Sequence, residues 1–315
     1  MTHFDGQTVI ASVSGGKDST AMCLHFKEQG IPFVPVFMDT GWENSSTYEY
    51  LRDYLPGIIG EITWLTAEVT LPDELEPIAK EFEDMMGFRS AMVRRCIKRG
   101  MFPSRLQRWC TKELKVIPIR DYLRSREDDV VNAVGIRHEE SASRAKMDEW
   151  EWEDAYDCWV WRPIITFSEQ DVIDIHARHG VLPNPNYLLG ARRVGCWPCI
   201  YAAKKELHYL ADNDDGRIAV LTRLEEVVGE MAEKRAQAKG TTLEARGHTR
   251  PAWFQNPAPV RDPVTGKRPG DCWPIAKVLE WAKTKYGGRQ YELFLPPMRD
   301  RGCMRWGLCD TGEDE

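Results

Sequence analysis

Six consecutive residues, Ser14-Gly-Gly-Lys-Asp-Ser19, have the makings of an anion cradle. Gly15 and Gly16 let the backbone approach a ligand without interference from a Cβ. The N–H groups so exposed, backed by a helix N-terminus, form a nest for phosphate-like oxygens. Lys17 adds a point charge that reads as an exposed loop lysine, and Ser14 and Ser19 add hydroxyl donors. The Gly-x4-Gly-Lys spacing of a Walker loop is absent. Asp18 suits a helix start and equally a Mg²⁺ ligand.

Sulfur is the second source of chemistry. Cys196-Trp-Pro-Cys199 sets two thiols at metal-ligand spacing, a spacing that also serves dithiol redox reactions. Cys110 lies in a basic stretch, which favours its thiolate, and Cys303 and Cys309 close the chain. Together these supply enough donors for a four-thiolate site, and spacing does not separate zinc from a [4Fe–4S] cluster. Cys23 reads as core, and Cys96, Cys158 and Cys272 receive no role.

Arginine is the third. A guanidinium fork binds phosphate or sulfate bidentately and keeps its charge. Arg137, Arg144, Arg162 and Arg193 are candidates, with Lys112 and Lys115 adding to the same field. The competing reading is a surface ion pair, which Glu139 and Glu140 make easy.

These groups need a scaffold. Thr8–Val13 is a short apolar, β-rich run that ends in the glycine loop and passes into a helical pattern at Ala21–Phe26. Further strands are expected at Phe33–Met38, Ile62–Leu65 and Val130–Val134, with a helix over about 46–54. Strands alternating with helices predict an α/β fold, a mainly parallel sheet flanked by helices. Ligands of such sheets bind at the carboxyl ends of the strands, where Ser14–Ser19, Asp39 and Arg137 fall. Trp150, Trp152, Trp159 and Trp161 alternate in a β-like stretch and are expected to pack on both its faces. After residue 200 the pattern turns helical, at Ala202–Leu210, Arg217–Lys239 and Pro274–Tyr286, with an irregular connection over 240–271. The expected division is a nucleotide-binding α/β domain over 1–200 and a helical, Cys-containing extension over 201–315.

Composition bounds the rest. The 315 residues are 42% hydrophobic, with 42 Lys+Arg against 49 Asp+Glu, a net charge of −7. That argues against a surface coated for nucleic acid, though not against a local basic patch. Residues 71–84 hold six acids and one lysine, whereas 89–115 hold nine basic residues and one acid, Glu113. Such runs are either solvated helix faces or a basic wall beside an anionic ligand. No run approaches the ~18 apolar residues of a membrane span. The N-terminus lacks signal-peptide character, so the nine cysteines are expected in a reducing cytoplasm.

The glycine loop resembles the pyrophosphate-binding loop of the adenine-nucleotide α-hydrolase superfamily. The chain as a whole resembles the phosphoadenosine-phosphosulfate (PAPS) reductase-like branch of that superfamily. Phe37–Gly41, Arg108–Lys115, Gly135–Arg144, Trp161–Ile164 and Arg193–Ile200 carry the resemblance. More loosely, Trp281–Gln290 and Gly302–Asp310 look like the C-terminal portion of phage- and plasmid-type members.

The resemblance implies a Rossmann-like fold that binds ATP with Mg²⁺, the ATP being attacked at its α-phosphorus. Ser12, Ser14–Ser19, Asp39, Gly135 and Arg137 would hold the nucleotide, with Lys17, Asp18 and Arg137 catalytic. Arg144, Arg162, Arg193 and Lys112 would hold the phosphate or sulfate of the acceptor. It also implies a [4Fe–4S] cluster on Cys110, Cys196 and Cys199. Trp109 stands where relatives carry another cysteine, so the fourth ligand is assigned to Cys309, with Cys303 in reserve.

Reductases of the branch usually degrade the loop and carry a Glu-Cys-Gly-Leu-His tail. Here the loop is intact and the tail reads Trp306-Gly-Leu-Cys-Asp310, which favours ATP cleavage for sulfur transfer over sulfite release. A nucleotide-gated accessory of a mobile-element defence system is a third expectation. Partners that follow are a cysteine desulfurase or thioredoxin-like reductant, a nucleic acid or nucleoprotein, and a second copy of the chain. No membrane is among them.

Overall fold

Val9, Ala11 and Val13 alternate with Ile10 and Ser12 along β1 (Thr8–Val13), so each face of the strand buries apolar groups. A strand apolar on both faces needs cover on both sides, the hallmark of a parallel sheet between helices. The computed structural model, which describes residues 6–246, 249–257, 271–285, 290, 291 and 306, has this architecture. β2 (Phe33–Asp39), β3 (Thr63–Thr66), β4 (Val130–Val134), β5 (Trp150–Glu153) and β6 (Cys158–Trp161) complete a six-stranded sheet. Its order is β3-β2-β1-β4-β6-β5, parallel throughout except for the β5–β6 hairpin. Val9 pairs with Phe33 on one side and Val131 on the other, which aligns the carboxyl ends of β1, β2 and β4.

α1 (Lys17–Gln29) covers one face with α8 (Glu169–Arg178), and it stops at Gly30, whose φ of 65° suits a residue without a Cβ. α2 (Ser45–Glu49), capped by Asn44, runs through a wide π turn at Tyr50–Tyr54 into α3 (Pro56–Ile59). The helix expected over 46–54 is thus α2 followed by a π turn, and α3 lies beyond it. α4 (Glu76–Met86) and α5 (Ala91–Arg99) precede α6 (Trp109–Thr111) and α7 (Ile117–Arg124). Beyond the sheet come α9 (Pro185–Leu188), α10 (Lys204–Asn213), α11 (Asp215–Gln237) and α12 (Ile275–Ala282).

Two expectations change. The helix from 274 ends at Ala282, where the Thr284 hydroxyl donates to the Trp281 carbonyl at 2.6 Å. The four tryptophans belong to a hairpin rather than one stretch, and register pairs them two by two. Trp150 stacks on Trp161 at 5.1 Å on the packed face, while Trp152 and Trp159 meet edge to face in solvent, 47% and 42% exposed. All four rings share one face of the hairpin, as positions two apart on a strand do, so that face is packed at its Trp150–Trp161 end and open at the other, and packing on both faces is not formed.

The largest buried cluster joins Trp42, Met92, Cys96 and Leu114 to Leu207, Leu224, Val278 and Leu279. Residues on both sides of position 200 thus share one core. Among the described residues no helix is long and apolar enough to cross a membrane.

Candidate functional site

The glycine loop lies between β1 and α1, at the carboxyl edge of the sheet. Gly15 takes φ +69°, and a Cβ there would sit 3.2 Å from Thr47 and Leu51. Ser14 N–H donates to Ser19 Oγ at 3.1 Å, and Ser19 Oγ donates to the Gly16 carbonyl at 3.0 Å, which closes the loop on itself. Gly135, just past β4, presses against the first turn of α1. A Cβ on it would lie 2.8 Å from the Asp18 carbonyl oxygen and the Ser19 Cα. Ser12, on β1 itself, donates to Asn132 of β4 at 3.2 Å.

A cavity of about 180 Å³ opens above this turn. Ser14, Gly16, Lys17, Asp18, Ser19 and Gly135 form its floor. Glu140, Arg144, Tyr187, Arg192, Arg193 and Val194 form its walls. Four cations thus face two carboxylates, a balance that attracts an anion. Arg144 is paired with Glu140, whereas Arg192 and Arg193 are exposed and have no ion-pair partner among the described residues. Sequence reasoning missed Arg192 and Tyr187. Arg192 had a signal in its place beside Arg193; Tyr187 had none, since only folding brings it 3.1 Å from the Lys17 N–H.

Lys17 is 9% exposed, so it is not the exposed loop lysine expected from sequence. Its ammonium lies 3.3 Å from Asp18 Oδ2 and 3.5 Å from Glu169 Oε1. Arg137 is also buried and does not line the cavity. Its Nε binds Asp18 Oδ1 at 2.6 Å and its Nη1 binds Glu139 at 3.0 Å, so its fork is filled by protein carboxylates.

Two other expected anion-binding residues are not brought to the cavity. Arg162 is buried beside the hairpin, 2.5 Å from Glu151 and 2.8 Å from the Asp148 carbonyl. Lys112 is exposed on a π turn over Lys112–Val116 and absent from the lining. The basic wall over 89–115 is neutralised in part. Folding sets the acidic segment against it at Arg94, which pairs with Glu76 and Glu83, while Arg95 and Arg99 share Glu113 of their own segment.

Asp39 closes β2. Its Oδ1 accepts from Gly41 N–H and Tyr48 O–H, each at 2.7 Å. As a cation site the two motif aspartates differ. Both oxygens of Asp18 are engaged by Arg137 and Lys17, whereas Asp39 Oδ2 accepts no hydrogen bond among the described residues. Mg²⁺ commonly takes one or two carboxylates plus phosphate oxygens and water, so Asp39 fits that role and Asp18 as arranged does not.

Cys110, Cys196 and Cys199 are brought within electrostatic range of one another, with Lys115 and Glu43 beside them. Glu43 bridges to Cys196 across an isolated β pair, and Trp197 N–H donates to the Trp42 carbonyl at 2.7 Å. Burial pushes the Cys196 thiol up to about 12, the nearby Lys115 charge opposing it. Burial likewise raises Cys110. The donor type suits a soft metal or a cluster. Among the described residues, however, no three His, Cys, Asp or Glu groups stand in metal-binding geometry. Cys303 and Cys309 lie outside the described residues.

Comparison with known proteins adds the following. The family described as the phosphoadenosine phosphosulfate reductase domain matches residues 8–202. An uncharacterized 37.8 kDa protein of Escherichia phage 186 is 34% identical, covering 96% of each chain. The adenosine 5'-phosphosulfate reductase of Salinibacter ruber is 24% identical over 63% of this chain and 69% of its own. The crystal structure of the PAPS reductase from Candida auris, a phosphate complex, superposes with a TM-score of 0.44 at 15% identity. That superposition covers 61% of this chain and 82% of the other.

Proposed function

This chain belongs to the phosphoadenosine phosphosulfate reductase domain family, and from that premise we propose that it cleaves ATP at the α-phosphorus to activate an acceptor. The intact glycine loop on the floor of a cation-lined cavity is the observation that carries the reading. In the reaction an acceptor oxygen forms a bond to the α-phosphorus and the bond to the β-phosphate oxygen breaks. Pyrophosphate leaves, and AMP stays on the acceptor or, where water attacks, is released.

Charge accumulates on the leaving pyrophosphate. Preorganised donors there lower the barrier more than any contact made equally in the ground state. The loop amides, the Ser14 and Ser19 hydroxyls and the Lys17 ammonium are those donors. Arg137 fixes Asp18, and so the first turn of α1, from behind. Arg144, Arg192 and Arg193 orient anionic groups of nucleotide or acceptor at the mouth. Mg²⁺, when bound through Asp39, neutralises phosphate charge. Cys110, Cys196 and Cys199, with Cys309 as fourth donor, would hold a [4Fe–4S] cluster that supplies sulfur-handling chemistry to the acceptor.

The expected outcome is slow, Mg²⁺-dependent formation of AMP and pyrophosphate from ATP, faster once the acceptor is present. Lys17→Ala should abolish it, with urea unfolding measured alongside because Lys17 is buried. A second reading, sulfite release from adenylyl or phosphoadenylyl sulfate, is favoured by the reductase relative. Sulfite formed with a thioredoxin-like reductant, and no AMP formed from ATP, would select it.

A further inference from the structure

One aromatic relay, unused by the reaction above, reaches the glycine loop from the C-terminal end of the chain. α1 opens at Lys17 on an N-cap, Gly16, that offers no side-chain acceptor. The first N–H groups of a helix have no partner within it. The Lys17 N–H donates instead to Tyr187 Oη at 3.1 Å. The Tyr187 ring also lies under the Lys17 ammonium, 5.4 Å from Nζ to its centroid. A Cβ on Gly16 would stand 3.3 Å from the same hydroxyl. Tyr187 therefore bears on the loop at a donor, at a charge and at the glycine that precedes them.

What fixes Tyr187 comes from far along the sequence. Trp306, 9% exposed, lies 6.0 Å from the Tyr187 ring and meets His176 edge to face at 5.2 Å. His176 is tied through Nδ1 to the Val172 carbonyl at 2.7 Å, and its Nε2 is buried without a hydrogen bond. Burial lowers the pKa of His176, so this neighbour is neutral and Trp306 is held by ring packing rather than charge. A phenol has two torsions to fix: the Lys17 and Val194 backbone groups hold its hydroxyl, and the indole packs on its ring.

We propose that Tyr187 is a positioning residue of the glycine loop and that Trp306 holds it there. The C-terminal part of the chain thereby sets how well the loop receives phosphate oxygens. A tyrosine hydroxyl is both acceptor and donor. It keeps the Lys17 amide aligned in the free protein and turns its proton toward an arriving oxygen. The proposal rests on the loop as an anion site and not on cleavage of ATP.

The test is amide hydrogen exchange at Lys17 in the full, ligand-free chain. Tyr187→Phe removes one neutral hydrogen bond and should speed that amide roughly fivefold. Trp306→Ala should speed it to a similar degree, Trp306→Phe should restore it, and the double variant should be no faster than either single one, since both act through one hydroxyl. If Trp306→Ala does not fold, Trp306→Leu, which loses the flat ring and keeps an apolar side chain, gives the same reading. Calorimetric titration with inorganic pyrophosphate should weaken roughly fivefold in the same variants. An unchanged Lys17 amide in the Trp306 variants, or additive effects in the double variant, would overturn the proposal. Coupled exchange without any ATP cleavage would sink the enzymatic reading and leave this one standing.

Discussion

Two arginines of the same motif stretch have different jobs because their surroundings differ. Arg137 and Arg144 both read from sequence as phosphate ligands, and at that level nothing tells them apart. Residue type and motif were legible; the identity of the facing carboxylate was not, since Asp18 lies 119 positions from Arg137. Removing one member of a buried pair strands the other, at about 3 kcal/mol or more. Arg137→Ala should therefore lower stability by about 3 kcal/mol in urea unfolding and disorder the first turn of α1. Arg144 sits at the cavity wall, partly exposed and, among the described residues, paired only with Glu140. Arg144→Ala should leave stability within about 0.5 kcal/mol while weakening pyrophosphate binding roughly tenfold, the loss of one charge-assisted contact. Equal stability losses in both variants would show that the pairing distinction has no energetic consequence.

Between elements, the decisive contacts are again those that patterning does not reveal. Strands β1 and β4 were readable to the residue, and β2 to within one, because each is a bounded apolar run. The π turns and the two-by-two pairing of hairpin tryptophans were not, because hydrophobic period says nothing of local hydrogen-bond register. Glu225 is a clear case: beside Glu226 on a long helix, its residue type does not tell a buried acid from a solvated one. In the structure its two oxygens accept the Trp253 and Ile275 N–H groups, each at 2.9 Å, and so tie α11 to the first turn of α12.

Burial pushes the Glu225 carboxyl up to about 7, from an ordinary value of 4.5. The folded state then holds its proton more tightly than the unfolded one, so stability falls as pH rises from about 4.5 to about 7 and levels off above. The loss across that window should reach about 3 kcal/mol. Glu225→Gln should remove that slope while lowering stability at acid pH, where the native carboxyl is protonated in both states. A slope unchanged in the variant would assign the effect to other groups.

At the scale of the whole molecule, cysteines far apart in sequence meet: Cys110 after α5, and Cys196 and Cys199 before α10. The sequence motif made them candidates, and folding puts Lys115 beside them, whose ammonium is lowered by burial but raised more by the surrounding thiols and Glu43. Anaerobically purified protein is expected to carry iron and absorb broadly near ~400 nm. Cys110→Ser and Cys196→Ser should each lose the iron, and Cys23→Ser, at a buried position of α1 itself, should keep it. Stoichiometric zinc without iron would reverse the assignment. The division expected at residue 200 meets a different fact, the cluster that joins Trp42 and Met92 to Val278 and Leu279. That shared cluster has a consequence during synthesis. A ribosome adding ~5–20 residues per second finishes the sheet at Trp161 and must then run on to Gln237 before α5 finds α11. For roughly 4–15 s the nascent chain leaves the apolar side of α5 uncovered, an interval in which it is open to capture by chaperones. A polypeptide stopped at 200 would keep that side uncovered and aggregate.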